Sequence, residues 1–198
     1  LARCAEVCRQ HNVLLIADEV QTGFGRTGRL LACEHEGVRP DGVILGKALG
    51  GGLLPVSAFL ADDALMQVFR PGDHGSTFGG NPLACAVADE ALRLLADERL
   101  AERAAHLGAT FLARLQAIES PLIREVRGRG LLIGVALSAP VANEVVAAAQ
   151  ERGLIVNAAN PETVRIAPAL TIGDAELAEF RELFAASLSD VQTSLAES

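Results

Sequence analysis

The sequence predicts an α/β fold, and three observations support this prediction. Two short apolar runs, residues 13–17 and 43–45, are rich in branched side chains and stop where charged residues or glycine follow. A glycine-rich loop follows each run, and helical patterns lie before and after the pair. Such runs are typical of buried strands in a parallel sheet, where ligands bind beyond the carboxyl ends of the strands.

The composition limits the classes of function. Half of the 198 residues are hydrophobic, and the net charge is −8 at pH 7. This charge argues against a nucleic-acid partner, which would need clustered Lys and Arg to meet phosphates. No apolar run approaches the roughly 20 residues that span a bilayer, and no signal peptide is visible, so we predict no membrane partner and a cytoplasmic location. The four cysteines lack metal-binding spacing, and no metal is predicted.

Apolar periodicity predicts the elements in chain order. The first half is predicted to contain a helix over 1–11, strands over 13–17 and 42–45, short helices over 30–36 and 62–69, and a strand within 55–60. Asn81 and Pro82 are predicted to start a long helix, as its N-cap and its first residue. The second half is predicted to contain helices over 98–118, 141–151 and 177–188, with strands over 123–126, 131–137, 154–156 and 164–167.

A change in pattern near residue 98 predicts two domains. Residues 1–97 are predicted to carry both glycine-rich loops and to end in the long helix. Residues 98–198 are predicted to form a small α+β domain. Because the first helix runs directly into a strand, we expect further sheet upstream and interpret the sequence as the C-terminal part of a larger protein.

An acid and an amine follow the two predicted strands, Asp18 after the first and Lys47 after the second. Pyridoxal phosphate needs a lysine amine for its aldehyde and a carboxylate that keeps its pyridine nitrogen protonated. The same lysine can act as a general acid and base. The spacing alone also fits a capping Asp and a surface Lys, but the glycines after Lys47 favour a ligand that approaches the backbone closely.

Three blocks of sequence resemble those of the class III (ω-amino acid) aminotransferases: DEVQTGFGRTG over 18–28, GKALGGG over 46–52 and HGSTFGGNP over 74–82. The resemblance continues through VRGRGLL over 126–132 and VRIAP over 164–168. It implies a fold-type I transferase that depends on pyridoxal 5'-phosphate. The chain would supply the C-terminal part of the large, mostly parallel-sheet domain and the small α+β domain.

The resemblance implies a role for each matching residue near the cofactor ring. Lys47 matches the lysine that binds the cofactor covalently, and Asp18 matches the partner of the pyridine nitrogen. Val20 matches an apolar side chain packed on one ring face, and Gln21 a residue near the ring hydroxyl. An alternative for Gln21 is a hydrogen bond within its own loop.

Three further residues match positions that contact phosphate or substrate. Ser76 and Thr77 match a loop that reaches the cofactor phosphate of the neighbouring subunit, which implies a homodimer with its site at the interface. Arg165 matches an arginine that binds a substrate carboxylate, a contact that suits the guanidinium fork. The alternatives are a turn-capping Thr77 and a surface ion pair of Arg165.

Within the family, residues 39–43, 45–49 and 53–58 most resemble the ornithine branch. The implied reaction moves the δ-amino group of ornithine to 2-oxoglutarate, giving glutamate and glutamate semialdehyde, which cyclises to pyrroline-5-carboxylate. Acetylornithine aminotransferases share most of the block over 74–88 and are the rival, with other ω-amino acid donors.

The N-terminal part of the family pattern has no counterpart in this sequence. We therefore expect either activity together with an N-terminal half polypeptide or an inactive remnant that serves at most as an interaction module.

Overall fold

Two separate sheets organise the chain. A computed structural model describes residues 1–197. The contacts divide the chain into one unit over residues 1–102 and a second from residue 103 onward. Within the described residues, no helix combines the length and apolar character needed to cross a membrane.

The first unit contains a mixed three-stranded sheet. Helix α1 (Ala2–Gln10) precedes strand β1 (Ile16–Asp18), which pairs in parallel with β2 (Gly42–Leu45). Strand β3 (Ala58–Ala61) then pairs antiparallel to β2. The remaining elements are two 3-10 helices and two α-helices: Ala32–Glu36, Lys47–Gly50, α2 (Asp63–Met66) and α3 (Pro82–Asp97).

The predicted parallel pairing of the two apolar runs is confirmed, but their predicted burial is wrong. Strand β1 has three residues, and Ile16 at its start is 40% exposed. Ile44 in β2 is 36% exposed. For β1 a reason is that it has only one neighbouring strand among the described residues, so its apolar side chains lack cover on the side without a strand.

The second unit contains an antiparallel sheet in the order β4-β5-β7-β6. Its strands are β4 (Ile123–Arg129), β5 (Leu132–Leu137), β6 (Asn157–Asn160) and β7 (Thr163–Ile166). Its helices are α5 (Ala142–Glu151) and α6 (Asp174–Ala196). Helix α4 (Leu100–Gln116) begins in the last residues of the first unit and continues into this one.

One apolar core holds the second unit together. It combines α4, α6 and one face of the sheet, and Phe111 and Phe184 are fully buried in it. Phe180 contacts Phe111 edge to face at 5.2 Å and stacks on Phe184 at 5.7 Å between ring centroids. Aromatic pairs in these geometries stabilise by about 1 kcal/mol beyond the area that they bury.

The predicted strand over 154–156 is wrong, since the strand begins at Asn157. The hairpin register places Asn157 opposite Arg165 and Ala158 opposite Val164. Leu154 and Val156 instead pack against the core from the preceding loop. The apolar run therefore reflects contact with the core and not pairing in the sheet.

Candidate active site

The ends of two parallel strands form the centre of the candidate site. Asp18 is the last residue of β1 and lies in register with Ile44 of β2. Two residues after β2 ends, Lys47 opens a 3-10 helix. The parallel pairing thus brings the acid and the amine to the same edge of the sheet.

The Asp18 carboxylate is turned to the outside. Its Oδ1 accepts a hydrogen bond from the backbone N–H of Val20 at 3.0 Å. The side chain is exposed. Among the described residues, no donor bonds to Oδ2, which is available to a protonated ring nitrogen.

Lys47 has a strained backbone and a free amine. Its φ is +45°, in the left-handed region that a residue with a side chain adopts only at a cost of about 1 kcal/mol or more. The side chain is exposed and makes no ion pair with another described residue. Strain of this kind is concentrated at functional sites, because surrounding structure must hold it in place.

Val20 and Gln21 follow Asp18 in the loop after β1. Val20 lies over Gly46, where an added Cβ would come within 3.4 Å of its Cγ1. Gln21 is half-buried, and its side chain makes no hydrogen bond with the described residues. The alternative role of Gln21, a bond within its own loop, is therefore absent from this structure.

Glu19 is buried and holds the loop after β1 through hydrogen bonds, a role that the sequence did not predict. The side chain is only 2% exposed. It accepts a 2.8 Å hydrogen bond from the backbone N–H of Cys33 and another from the Thr22 hydroxyl. Its own backbone N–H donates to Ile44 at 2.9 Å. The sequence contained a signal for this burial. Successive side chains of a strand face opposite sides, so only one of Asp18 and Glu19 can face outward.

A small apolar cluster supports both strand ends. Phe24 comes from the loop after β1, Leu49 from the 3-10 helix after β2, and Ala88 from α3. All three are buried. Because the cluster joins these segments, it supports the position of Asp18 relative to Lys47.

The loop over 71–82 forms one wall of a pocket of about 490 Å³ beside Lys47. Ser76 and Asn81 line this pocket together with Lys47. The Ser76 hydroxyl oxygen accepts a 2.9 Å hydrogen bond from Gly79 N–H, while Thr77 is exposed and has no side-chain partner among the described residues. Asn81 caps α3 as predicted, accepting from Ala84 N–H at 2.9 Å.

Arg165 lies in the second unit, on β7. Its Nη2 donates a 3.0 Å hydrogen bond to Oδ1 of Asn157 on β6. The side chain is half-buried and has no ion pair within the described part of the chain. The alternative of a surface ion pair is therefore not what the structure contains.

The Cys33 thiol is a buried group beside the site whose pKa is shifted. Burial raises its pKa, and the negative charge of Glu19 raises it further. Thiol reagents attack the thiolate, so at about pH 8 Cys33 should react more slowly than an ordinary cysteine. We expect mass spectrometry to find label first on the exposed Cys4 and Cys85 and on Cys33 only after unfolding. Labelling of Cys33 at the rate of Cys85 would contradict this.

Comparison with known proteins defines the class. The model of the family "Aminotransferase class-III" matches residues 1–188. The mitochondrial ornithine aminotransferase of rice (Oryza sativa subsp. japonica) is 51% identical over 187 residues, which is 90% of this chain and 40% of the rice protein. The chain belongs to the class III aminotransferases, a family that depends on pyridoxal phosphate.

Solved structures agree with this assignment. The ornithine aminotransferase of Toxoplasma gondii matches 98% of this chain with a TM-score of 0.92 and 45% identity. The acetylornithine aminotransferase of Elizabethkingia anophelis matches 96% with a TM-score of 0.89 and 46% identity. The predicted fold-type I class, the cofactor of the family and the likeness to ornithine aminotransferases are confirmed. The chain spans about half the length of these proteins, 47% and 51%.

The residues present fit pyridoxal phosphate. The free Oδ2 of Asp18 and the unpaired amine of Lys47 lie at adjacent strand ends. Val20 and Gln21 follow Asp18 in the loop after β1, Val20 lies close to Gly46, and the Gln21 amide makes no hydrogen bond with the described residues. Among residues 1–197, no three His, Cys, Asp or Glu side chains group together in a way that could hold a metal ion.

Proposed function

We propose that this chain supplies the part of an ornithine δ-aminotransferase that binds the ring of pyridoxal 5'-phosphate. The observation that carries the proposal is the placement of Asp18 and Lys47 at neighbouring carboxyl ends of parallel strands. The identity of about one half to ornithine aminotransferases supports the choice of substrate. The reaction would move the δ-amino group of ornithine to 2-oxoglutarate, giving glutamate and glutamate semialdehyde.

Each residue has a distinct part in this reaction. When bound, the cofactor supplies an electron-accepting ring. Asp18 would keep a proton on the ring nitrogen, because a nearby carboxylate favours the charged form of that group. Lys47 would hold the cofactor through its aldehyde carbon, and its amine would hold or move a proton as a general acid and base. Val20 would pack on the ring, and Gln21 would bond to its hydroxyl.

The remaining site residues act at the edges of the cofactor and substrate. Thr77, with its unused hydroxyl, would donate to the cofactor phosphate of the neighbouring subunit in a homodimer, and Ser76 shapes that loop through its bond to Gly79. Arg165 binds a substrate carboxylate, since its guanidinium has no acidic partner among the described residues.

A second candidate is acetylornithine aminotransferase, with other ω-amino acid donors behind it. The specific observation is that the Elizabethkingia anophelis enzyme is 46% identical, against 45% for the Toxoplasma gondii ornithine enzyme. Assaying ornithine and acetylornithine side by side separates the two. A preference for acetylornithine would overturn the ornithine assignment while leaving the cofactor roles in place.

We propose that activity requires a polypeptide corresponding to the other half of the relatives. Two observations support this: the chain spans about half of their length, and the apolar residues Val13, Leu14 and Ile16, at the start of β1 and just before it, are exposed. The alternative is an inactive remnant. The cytoplasmic location stays a prediction, and the rice relative is described as mitochondrial.

Covalent labelling tests the cofactor proposal directly. We expect pyridoxal phosphate followed by borohydride to attach to the peptide that contains Lys47, with the purified chain alone or after addition of the N-terminal half of a relative. Lys47→Ala should lose this label, while Asp18→Asn should keep the label and lose transaminase activity of the reconstituted enzyme. Absence of label on Lys47 in both preparations would favour the remnant.

A further inference from the structure

One row of residues crosses the second sheet on the face opposite its buried core. Arg127 of β4 pairs with Gly134 of β5, Gly134 pairs with Arg165 of β7, and Arg165 pairs with Asn157 of β6. Directly opposed residues of antiparallel strands share a face. Two arginines therefore lie on one face in one row, with a glycine between them.

The two arginines differ in their hydrogen-bond partners. Arg127 Nη1 forms an ion pair with Glu125 Oε2 at 2.6 Å. Arg165 Nη2 instead donates to the neutral amide oxygen of Asn157 at 3.0 Å, and it has no carboxylate partner among the described residues. Because a guanidinium only donates hydrogen bonds, the Asn157 amide accepts through its oxygen. The amide is neutral, so it carries no charge that would offset the guanidinium. No carboxylate among the described residues therefore offsets the charge of Arg165.

The other flank of Arg165 is open. Gly134 is its neighbour on β5 and has no side chain to cover the guanidinium. Packing does not force glycine there, since an added Cβ would meet only Thr163 Cγ2, at an ordinary 3.6 Å. The result is a guanidinium held on one side by an amide and accessible on the other.

We propose that Asn157 is a positioning residue that makes Arg165 a receptor for the carboxylate of an amino acid or 2-oxo acid. The amide fixes one end of the guanidinium, and the remaining N–H groups present a fork that matches a carboxylate. A neutral acceptor is required, because an acidic residue at 157 would occupy the fork and cancel the charge. This inference rests on the role proposed for Arg165 and adds the residue that sets it.

The test is a titration of the purified full chain with glutarate, a dicarboxylate without reacting groups, followed by NMR of the arginine Nε–Hε signals. Arg165→Lys assigns the Arg165 signal, which is expected to move in the wild type. Asn157→Asp should weaken glutarate binding by about tenfold or more, since a neighbouring carboxylate competes for the fork. Asn157→Ala should weaken glutarate binding only about threefold, because the Arg165 guanidinium loses the partner that orders it but has no added negative charge beside it.

Arg127 is the matched control on the same row. Its signal should stay in place during the titration of the wild type, because Glu125 already neutralises it. Far-ultraviolet circular dichroism checks that each variant keeps the wild-type fold. Equal binding by Asn157→Asp and the wild type would overturn the role of Asn157, and so would a wild-type Arg165 signal that does not move. The Lys47 labelling is read independently, so either proposal can fail without the other.

Discussion

Gly108→Ala is expected to destabilise the second unit by about 3 kcal/mol, the upper part of the range for overpacking a tight contact. An added Cβ at Gly108 would lie 2.1 Å from the carbonyl oxygen of Gly130 and 2.6 Å from its Cα. These are backbone atoms, so no side chain can rotate away. Gly130 has a φ of +53°, in the left-handed region that glycine adopts without steric cost.

Destabilisation by Gly108→Ala is the opposite of what helix propensity alone would give. In an unobstructed helix, Ala in place of Gly stabilises by about 1 kcal/mol. The control is Ala109→Gly, one residue further along α4 and exposed, which should destabilise by about 1 kcal/mol. Because the chain has no Trp or Tyr, urea unfolding is followed by far-ultraviolet circular dichroism. Stabilisation by Gly108→Ala would show that α4 does not approach Gly130 this closely.

Glu19→Ala is expected to destabilise the first unit by about 3 kcal/mol. The change leaves the buried N–H of Cys33 and the Thr22 hydroxyl without their acceptor, and each buried unpaired donor costs about 1–3 kcal/mol. Glu19→Gln keeps one acceptor oxygen and should cost about 1–2 kcal/mol. The same unfolding measurement gives the free energies of all variants.

Glu34→Ala is the matched control for this prediction. Glu34 is an exposed acid in the same 3-10 helix as Cys33, so its removal should change stability by less than about 0.5 kcal/mol. Glu19→Ala should also speed labelling of Cys33, since the thiol loses both its cover and its charged neighbour. Equal stability of the two Ala variants would contradict an anchoring role for Glu19.

Glu19 and Asp18 illustrate where sequence reasoning stops. The pattern placed an acidic pair at the end of a strand, and the structure has that arrangement. Which of the two faces inward depends on the register of β1 against β2 and on Cys33, which is 14 residues away in the chain. Local patterns carry no information on such a distant partner.

The hairpin of the second unit shows the same limit. The branched apolar residues at 154–156 favoured a strand there, yet pairing starts at Asn157. The pairing partner, Arg165, lies on the next strand and sets the register through the hairpin. Residues with high β-propensity are those that fit a half-buried surface. A loop packed on a core provides such a surface as well, so these residues do not require a strand.

The sequence by itself identified the class of the protein, through the resemblance of three blocks to a known family. Its apolar runs and glycine loops also predicted the strand ends that carry Asp18 and Lys47 and the order of nearly all elements, because these features are encoded by neighbouring residues. The tertiary structure decided which acid is buried, why Gly108 must be glycine, and that a neutral Asn157 holds Arg165. These depend on contacts between residues distant in sequence, whose distances and charges exist only once the strands and helices are packed.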